Sequence, residues 1–362
     1  MVVTKLPPAK VVRAIETARY RIGQLHRRML PAPAVMMELL TGGWCVQAIT
    51  AAVDLGIADV LAKGPLTAGE LAAAVDADAD TVSRLLRALI SRGIFRQRRD
   101  GRYDLTSLAS TLRSDADVSC AATAQLMGLS DHVEMWSHLT DAIRTGEAVI
   151  PKLRGKSGFE LLADEPVIAE IFNRAMTSMS EFAVASVTAV YDFSRYGTII
   201  DVGGGHGRLL AAILAATPQA RGILFDLPEV VAGAPPVLAE HHVGDRVDVL
   251  GGSFFDMVPE GGDAYVLKNV IHDWPDEDPL KILSNVRTAA GAGKHVLLVE
   301  FVIPRHGREF MGKWMDLQML VCAAGRERTA DEYGRLLERA GFRLTRVVET
   351  ASPFSVVEAI AI

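Results

Sequence analysis

The chain has 362 residues, 49% of them hydrophobic, and a formal net charge of −6. That length admits two domains of ordinary size and that composition a large core, which excludes a disordered chain; the acidic balance argues against a protein built mainly to bind nucleic acid. Its three cysteines, Cys45, Cys120 and Cys322, are far apart and form no CxxC pair, so neither a disulfide framework nor a zinc site is expected, and a cytoplasmic, reducing location suits them.

Residues 1–30 are basic and helical in pattern, with no uninterrupted apolar stretch that would mark a signal peptide; Pro31 and Pro33 break the run. From 35 to 62 the spacing predicts one or two apolar helices. The part over 43–62 raises a membrane span, but Asp54 and Asp59 interrupt it, and a buried amphipathic helix explains it better. Thr67-Ala68-Gly69-Glu70 reads as a capping box opening a short helix over 70–75. Asp80 or Thr81 then caps a helix over 82–90 that stops at Gly93. Strands over 94–96 and 102–105, joined by a turn at Asp100-Gly101, complete a winged-helix pattern. Arg84, Arg87, Arg96, Arg98 and Arg99 could meet DNA phosphates. Packing or self-association is the favoured reading, with the preceding apolar helices as the seam.

Residues 118–195 read as mostly helical. Beyond 197 strands alternate with helices, the strands near 197–202, 221–226, 246–250, 263–269 and 295–302, and a closing hairpin runs over 343–349 and 354–360. That pattern predicts a doubly wound α/β domain with a mostly parallel sheet, whose ligands sit at the carboxyl ends of the strands. Gly203, Asp226, Ser253, Lys268 and His272 all fall at or just past predicted strand ends, so one pocket wall would hold them.

Asp201-Val202-Gly203-Gly204-Gly205-His206-Gly207 joins the first of these strands to a helix, where backbone N–H groups and the helix dipole face a ligand. Asp226, at the end of the second strand, can accept hydrogen bonds from ribose hydroxyls, so a nucleoside cofactor is the first inference. Starting from Gly203, the third glycine of G-x-G-x-x-G would fall at Arg208, so the dinucleotide fingerprint is not met. S-adenosylmethionine suits this tighter turn; NAD stays open on the segment alone.

Val266-Leu267-Lys268-Asn269-Val270-Ile271-His272-Asp273-Trp274 leaves a buried-strand pattern through a histidine, a residue type able to act as a general base near neutral pH. A structural histidine or a helix cap is the bland alternative. Asp273, Asp276, Glu277 and Asp278 invite a metal, but they precede a helix whose first turn favours carboxylates anyway, and none is expected. Glu300, read as ending the next apolar strand, could orient the imidazole as the third member of a triad does, or be an ordinary salt-bridged glutamate.

The ordered motifs Asp201-Val202-Gly203-Gly204-Gly205-x-Gly207, Phe225-Asp226-Leu227-Pro228, Leu267-Lys268-x-x-Ile271-His272-Asp273-Trp274 and Arg326-Glu327-Arg328-Thr329 resemble those of the S-adenosylmethionine-dependent small-molecule O-methyltransferases. The resemblance covers nearly the whole chain. It implies a Rossmann-like class I methyltransferase domain over 116–362, with an acceptor-pocket segment at 116–195. Before it, over 1–115, it implies a helical winged-helix domain that makes a homodimer. The cofactor would be S-adenosylmethionine, leaving S-adenosylhomocysteine, and the partner a small hydroxylated aromatic; neither nucleic acid nor membrane is expected. By position, His272 matches the catalytic base and Glu300 and Glu327 the carboxylates flanking it. Asp226 matches the ribose-binding acid, Asp201, Gly203 and Gly205 the methionine-side turn, and Lys268 an adenine-side contact. Phe172 and Ser180 match cofactor contacts, and Met176, Asp273, Trp274 and Met319 match acceptor-pocket positions. Ser253, followed by Phe254, stands where plant members carry the aspartate that contacts adenine, so adenine recognition should rest less on charge here. Relatives that keep this cofactor pocket for N-methylation, or for cofactor-assisted hydroxylation or decarboxylation, are the alternative reading. A ligand-sensing winged-helix regulator is a distant one.

Overall fold

The computed structural model describes residues 7–116 and 118–362. The first six residues of the expected N-terminal helical segment, and Asp117, lie outside the described residues. Two compact units emerge, one from residues up to 21, 138–158 and 180–362, the other from 22–137 and 159–179. The segment 116–195, expected to go wholly with the α/β part, is thus shared between them.

The second unit contains the winged-helix pattern. The helix Ala68–Ala74 opens with the expected capping box, Thr67 N–H donating to Glu70 Oε2 at 2.8 Å and Glu70 N–H to Thr67 Oγ1 at 3.3 Å. The next helix, Ala79–Ser91, starts earlier than expected: Asp78, not Asp80 or Thr81, is its cap and accepts from Thr81 N–H at 2.9 Å. Asp80 sits in the first turn instead, where its charge suits the helix dipole. Strands β1 (Phe95–Gln97) and β2 (Tyr103–Leu105) pair antiparallel with Arg96 opposite Asp104. The buried Asp104 carboxylate binds both Arg96 (2.5 Å) and Arg98 (2.9 Å), so two of the five arginines considered for DNA are neutralised within the wing.

The one or two helices expected over 35–62 are three, Ala32–Leu40, Gly42–Asp54 and Ile57–Leu61. The expected burial holds only for their later part, where Ala52, Ile57, Ala58 and Leu61 enter the core. Met36, Met37, Leu39, Leu40 and Trp44 are exposed, Trp44 at 76%. By length and composition Ala32–Asp54 could cross a membrane, but Thr41 closes one helix and opens the next within it.

The first unit is built on one sheet. Its strands are β3 (Thr198–Val202), β4 (Arg221–Asp226), β5 (Val247–Gly251), β6 (Ala264–Lys268), β7 (His295–Ile303), β8 (Arg328–Thr329), β9 (Phe342–Glu349) and β10 (Phe354–Ala361). The order is β5-β4-β3-β6-β7-β10-β9, with β8 pairing the end of β7. β3 to β7 run parallel, whereas β10 is antiparallel to both of its neighbours. Neighbouring residues point to opposite faces, and both faces are covered. Ile199, Leu224, Val266 and Leu297 enter one core, and Ile200, Phe225, Leu267 and Leu298 the other. From β3 the chain winds outward to β5, then returns to lay β6 on β3's other side. The crevice at this reversal opens beyond the carboxyl ends of β3 and β6, which is where such sheets bind ligands.

Candidate active site

The glycine turn leaves β3 into that crevice. Gly203 has φ +67°, and a Cβ there would lie 2.8 Å from Val270 Cγ2 and 3.3 Å from the Phe254 ring, so a side chain is excluded on both counts. Gly205 N–H donates to Asp226 Oδ2 at 2.8 Å and Leu227 N–H to Oδ1 at 2.7 Å, which locks the acid at the end of β4 to the turn. Burial raises the Asp226 pKa against these two donors. Asp201 is 1% exposed and neither carboxylate oxygen has a partner of good hydrogen-bond geometry. Burial, with Asp226 adding to it, pushes its pKa up to about 7, while the Lys268 charge opposes. A buried carboxylate of this kind is matched to a cationic group.

Ser253 is caught in a local turn, its Oγ accepting from Phe255 N–H at 3.2 Å. Phe254 and Phe255 form an aromatic group with Trp274, the Phe255 and Trp274 rings meeting edge-on at 4.8 Å. Asn285, which the sequence reading passed over, holds this segment by donating to the Phe254 and Phe255 carbonyls at 2.9 and 3.0 Å. Lys268, at the end of β6, is lowered in pKa by burial against the opposing charges of Asp201, Glu300 and Asp273. Phe172, Met176 and Ser180 lie four residues apart on one side of the helix Pro166–Val190 and are each partly buried; the first two belong to the other compact unit. Met319 is partly buried on the helix Met311–Ala323.

His272 lies in a short 3₁₀ turn, Ile271–Asp273, just past β6, and is 6% exposed. Its Nδ1 is 2.7 Å from Glu327 Oε1 and 3.8 Å from Glu300 Oε2, and its Nε2 is 3.3 Å from Asp273 Oδ1. Two expectations about Glu300 change here. It lies inside β7 rather than at its end, because Phe301, Val302 and Ile303 continue the strand. Its carboxylate also serves the backbone before the ring: Oε1 accepts from Val270 and Ile271 N–H at 3.2 and 3.0 Å. Glu327 is the direct partner of the imidazole. Burial disfavours a charged imidazole, but Asp273, Glu300 and Glu327 outweigh it and push the His272 pKa up to about 10. Burial likewise raises both glutamates, against the attraction of His272.

Asp316, named in the sequence only as a neighbour of Met319, accepts from Glu327 N–H at 2.9 Å and so fixes the backbone that carries that carboxylate, just before β8. The acids considered for a metal do not converge: Asp276 turns to Arg328 (2.6 Å) and Arg326 (3.4 Å). His272, Glu300 and Glu327 do offer ligand atoms within 4.8 Å of one another, a metal-like spacing. Of that set, Nδ1 and Glu327 Oε1 are committed to each other and Glu300 Oε1 to the two amides, so a cation would have to displace them.

A switch-point crevice with a glycine turn, a locked acid and a buried imidazole, on a sheet closed by an antiparallel last strand, is the arrangement of a class I methyltransferase. Comparison with known proteins agrees. Residues 136–343 match the model of the O-methyltransferase domain and residues 37–115 that of the O-methyltransferase dimerisation domain. Phenazine O-methyltransferase PhzM of Lysobacter antibioticus is 41% identical over 91% of this chain and 96% of its own. 8-Amino-8-demethylriboflavin N,N-dimethyltransferase of Streptomyces davaonensis is 32% identical over 85% of this chain and 89% of its own. Among solved structures, LaPhzM superposes with a TM-score of 0.86 at 41% identity, covering 92% of this chain and all of that one. NcsB1 from neocarzinostatin biosynthesis, solved with S-adenosylmethionine and 2-hydroxy-5-methyl naphthoic acid, gives 0.75 at 34%, covering 88% and 96%. The chain belongs to the O-methyltransferase family, and S-adenosylmethionine is its cofactor. The residues on hand fit that molecule, whose ammonium and sulfonium are cations of the kind the unpartnered Asp201 calls for.

Proposed function

We propose that the enzyme methylates a phenolic hydroxyl on a small aromatic or polyketide-like acceptor, with His272 as general base and without a metal. One observation carries this reading. The imidazole is held at Nδ1 by Glu327, 2.7 Å away, which leaves Nε2 as the nitrogen that can meet a hydroxyl. S-adenosylmethionine supplies an electrophilic methyl group on an already activated sulfonium. Glu327 keeps the Nδ1 proton in place and balances the charge once Nε2 has taken the acceptor's proton. Glu300 steadies the turn that presents the ring. Asp273 yields Nε2 to the incoming hydroxyl and then lies beside it. Asp226 takes the ribose, Asp201 with Gly203 and Gly205 the methionine end, and Ser253, Phe254 and Lys268 the adenine side. Ser180 adds a cofactor contact, and Trp274 and Met319 line the acceptor pocket. The phenazine and naphthoic acid rings of the relatives support a ring acceptor. The test is a phenol screen for products heavier by one methyl group, run on enzyme dialysed against EDTA. Methylated product at the untreated rate is expected; activity restored only by a divalent cation would overturn the metal-free mechanism.

A base that must first lose a proton sets the pH dependence. Because the imidazole is raised from the usual 6.5, kcat/KM should climb with pH along a limb lying above 6.5, readable in a pH–rate profile. The same shift acts on folding. Its stabilisation is complete below pH 6.5 and is lost as pH rises toward 10, so the wild type should lose more Tm across that window than His272→Gln does.

The riboflavin relative favours a second reading, methylation of an amine, and an amine acceptor in the same screen would reveal it. The exposed stripe of Met36, Met37, Leu39, Leu40 and Trp44 falls almost wholly in the dimerisation match. We assign its cover to a second copy of the chain. Light scattering should give twice 39.0 kDa, and a monomer at micromolar concentration would remove the idea.

A further inference from the structure

We propose that Arg328 is a positioning residue for the reaction: its guanidinium clamps the turn that presents His272. The inference rests on the function proposed above and concerns a group that meets neither reactant. Arg328 is 2% exposed and lies in the two-residue strand β8, opposite Val302 of β7. Its Nη1 donates to the carbonyls of Ile271 and Arg326, each at 3.2 Å, and its Nη2 to Asp276 Oδ1 at 2.6 Å. Three elements are thereby tied together: the His272 turn, the segment that carries Glu327 into β8, and the loop that opens the helix Glu277–Ala290.

The rest of the turn is tied just as closely. Glu300 accepts from the amides of residues 270 and 271, and Arg326 N–H donates to the His272 carbonyl at 2.8 Å. A Cβ at Gly325 would fall 2.1 Å from that same carbonyl oxygen, so backbone lies directly on backbone. The 325–328 segment therefore supplies a packing surface, an amide donor and a guanidinium to one turn, and from between them sends Glu327 to the ring. If the turn slips against this segment, the 2.7 Å contact between imidazole and carboxylate is the first distance to change. Lysine cannot substitute for the fork, because one ammonium on a flexible stem cannot reach Asp276 and both carbonyls in fixed geometry.

The test compares wild type, Arg328→Lys and Asp276→Asn, each saturated with S-adenosylhomocysteine. The His272 ring nitrogens are followed by NMR against pH and assigned with His272→Gln. In Arg328→Lys the imidazole midpoint should fall by about one pH unit as the Glu327 contact loosens, and in Asp276→Asn by less. For a phenol that the wild type methylates, kcat should drop about tenfold or more in Arg328→Lys while KM for S-adenosylmethionine holds. A merely structural arginine would lower Tm and leave the midpoint where it was. Should Arg328→Lys fail to fold, Asp276→Asn carries the test, since the Asp276 side chain is half exposed. An unmoved midpoint in the folded variants overturns the proposal. A moved midpoint in an enzyme that methylates no phenol would overturn the functional reading and leave the clamp standing.

Discussion

Replacing His272 with alanine is expected to lower kcat for phenol methylation by about 10²–10⁴-fold, the range in which a positioned general base contributes. Calorimetry should find S-adenosylmethionine bound no more weakly, because the hydrogen bonds that hold Asp226 to Gly205 and Leu227 in the proposed cofactor site do not involve the imidazole. The variant removes one charge from a group of carboxylates. Glu300, Glu327 and Asp273 would then lose the cation that all three share, with Lys268 left to act on Glu300 and Asp273, and at least one should take up a proton. Product formation within threefold of wild type would mean that the acceptor reaches the site already ionised and needs no base.

Glu327→Gln should be the second most damaging change. The amide keeps the shape and can still accept from Nδ1, but it removes the charge 2.7 Å from the ring. The imidazole pKa should then fall toward its usual 6.5, and the protonated ring formed during transfer loses its closest counter-charge. A drop in kcat of about 10²-fold is expected, with the acidic limb of the pH–rate profile moving down by at least about one unit. Glu300→Gln gives the contrast. Its carboxylate stands 3.8 Å from Nδ1 and spends one oxygen on two amides that a glutamine carbonyl can also serve. A loss of about tenfold or less is expected there. Equal damage from the two substitutions would show that the ring answers to the pair rather than to Glu327.

The N-terminal helices show where reading from pattern stops. Apolar spacing over 35–62 correctly announced helices, and burial was the natural inference from it. Met36, Met37, Leu39, Leu40 and Trp44 are nonetheless exposed in a single chain, because hydrophobic spacing states that a face will be covered and not by what. The helix cap at Asp78 rather than Asp80 is a smaller case of the same kind. Asp80 and Thr81 were the caps expected, but the backbone turns helical earlier, at Ala79, and leaves Asp78 extended to cap it.

What the amino-acid order determined by itself was everything with a local signature. The alternating β and α pattern predicted the doubly wound sheet, the glycine cluster marked the turn that leaves β3 and Asp226 the end of β4, and His272 left a strand end with its motif intact. Tertiary structure decided the partnerships. Glu300 stands 28 residues from His272 in the chain and Glu327 stands 55, and no periodicity says which of them reaches the ring. That choice came from β8 docking beside the end of β7, which swings Glu327 onto Nδ1 and brings Arg328 beneath the turn. A strand of two residues has too few side chains to carry a pattern, so its consequences could be read only once the chain had folded.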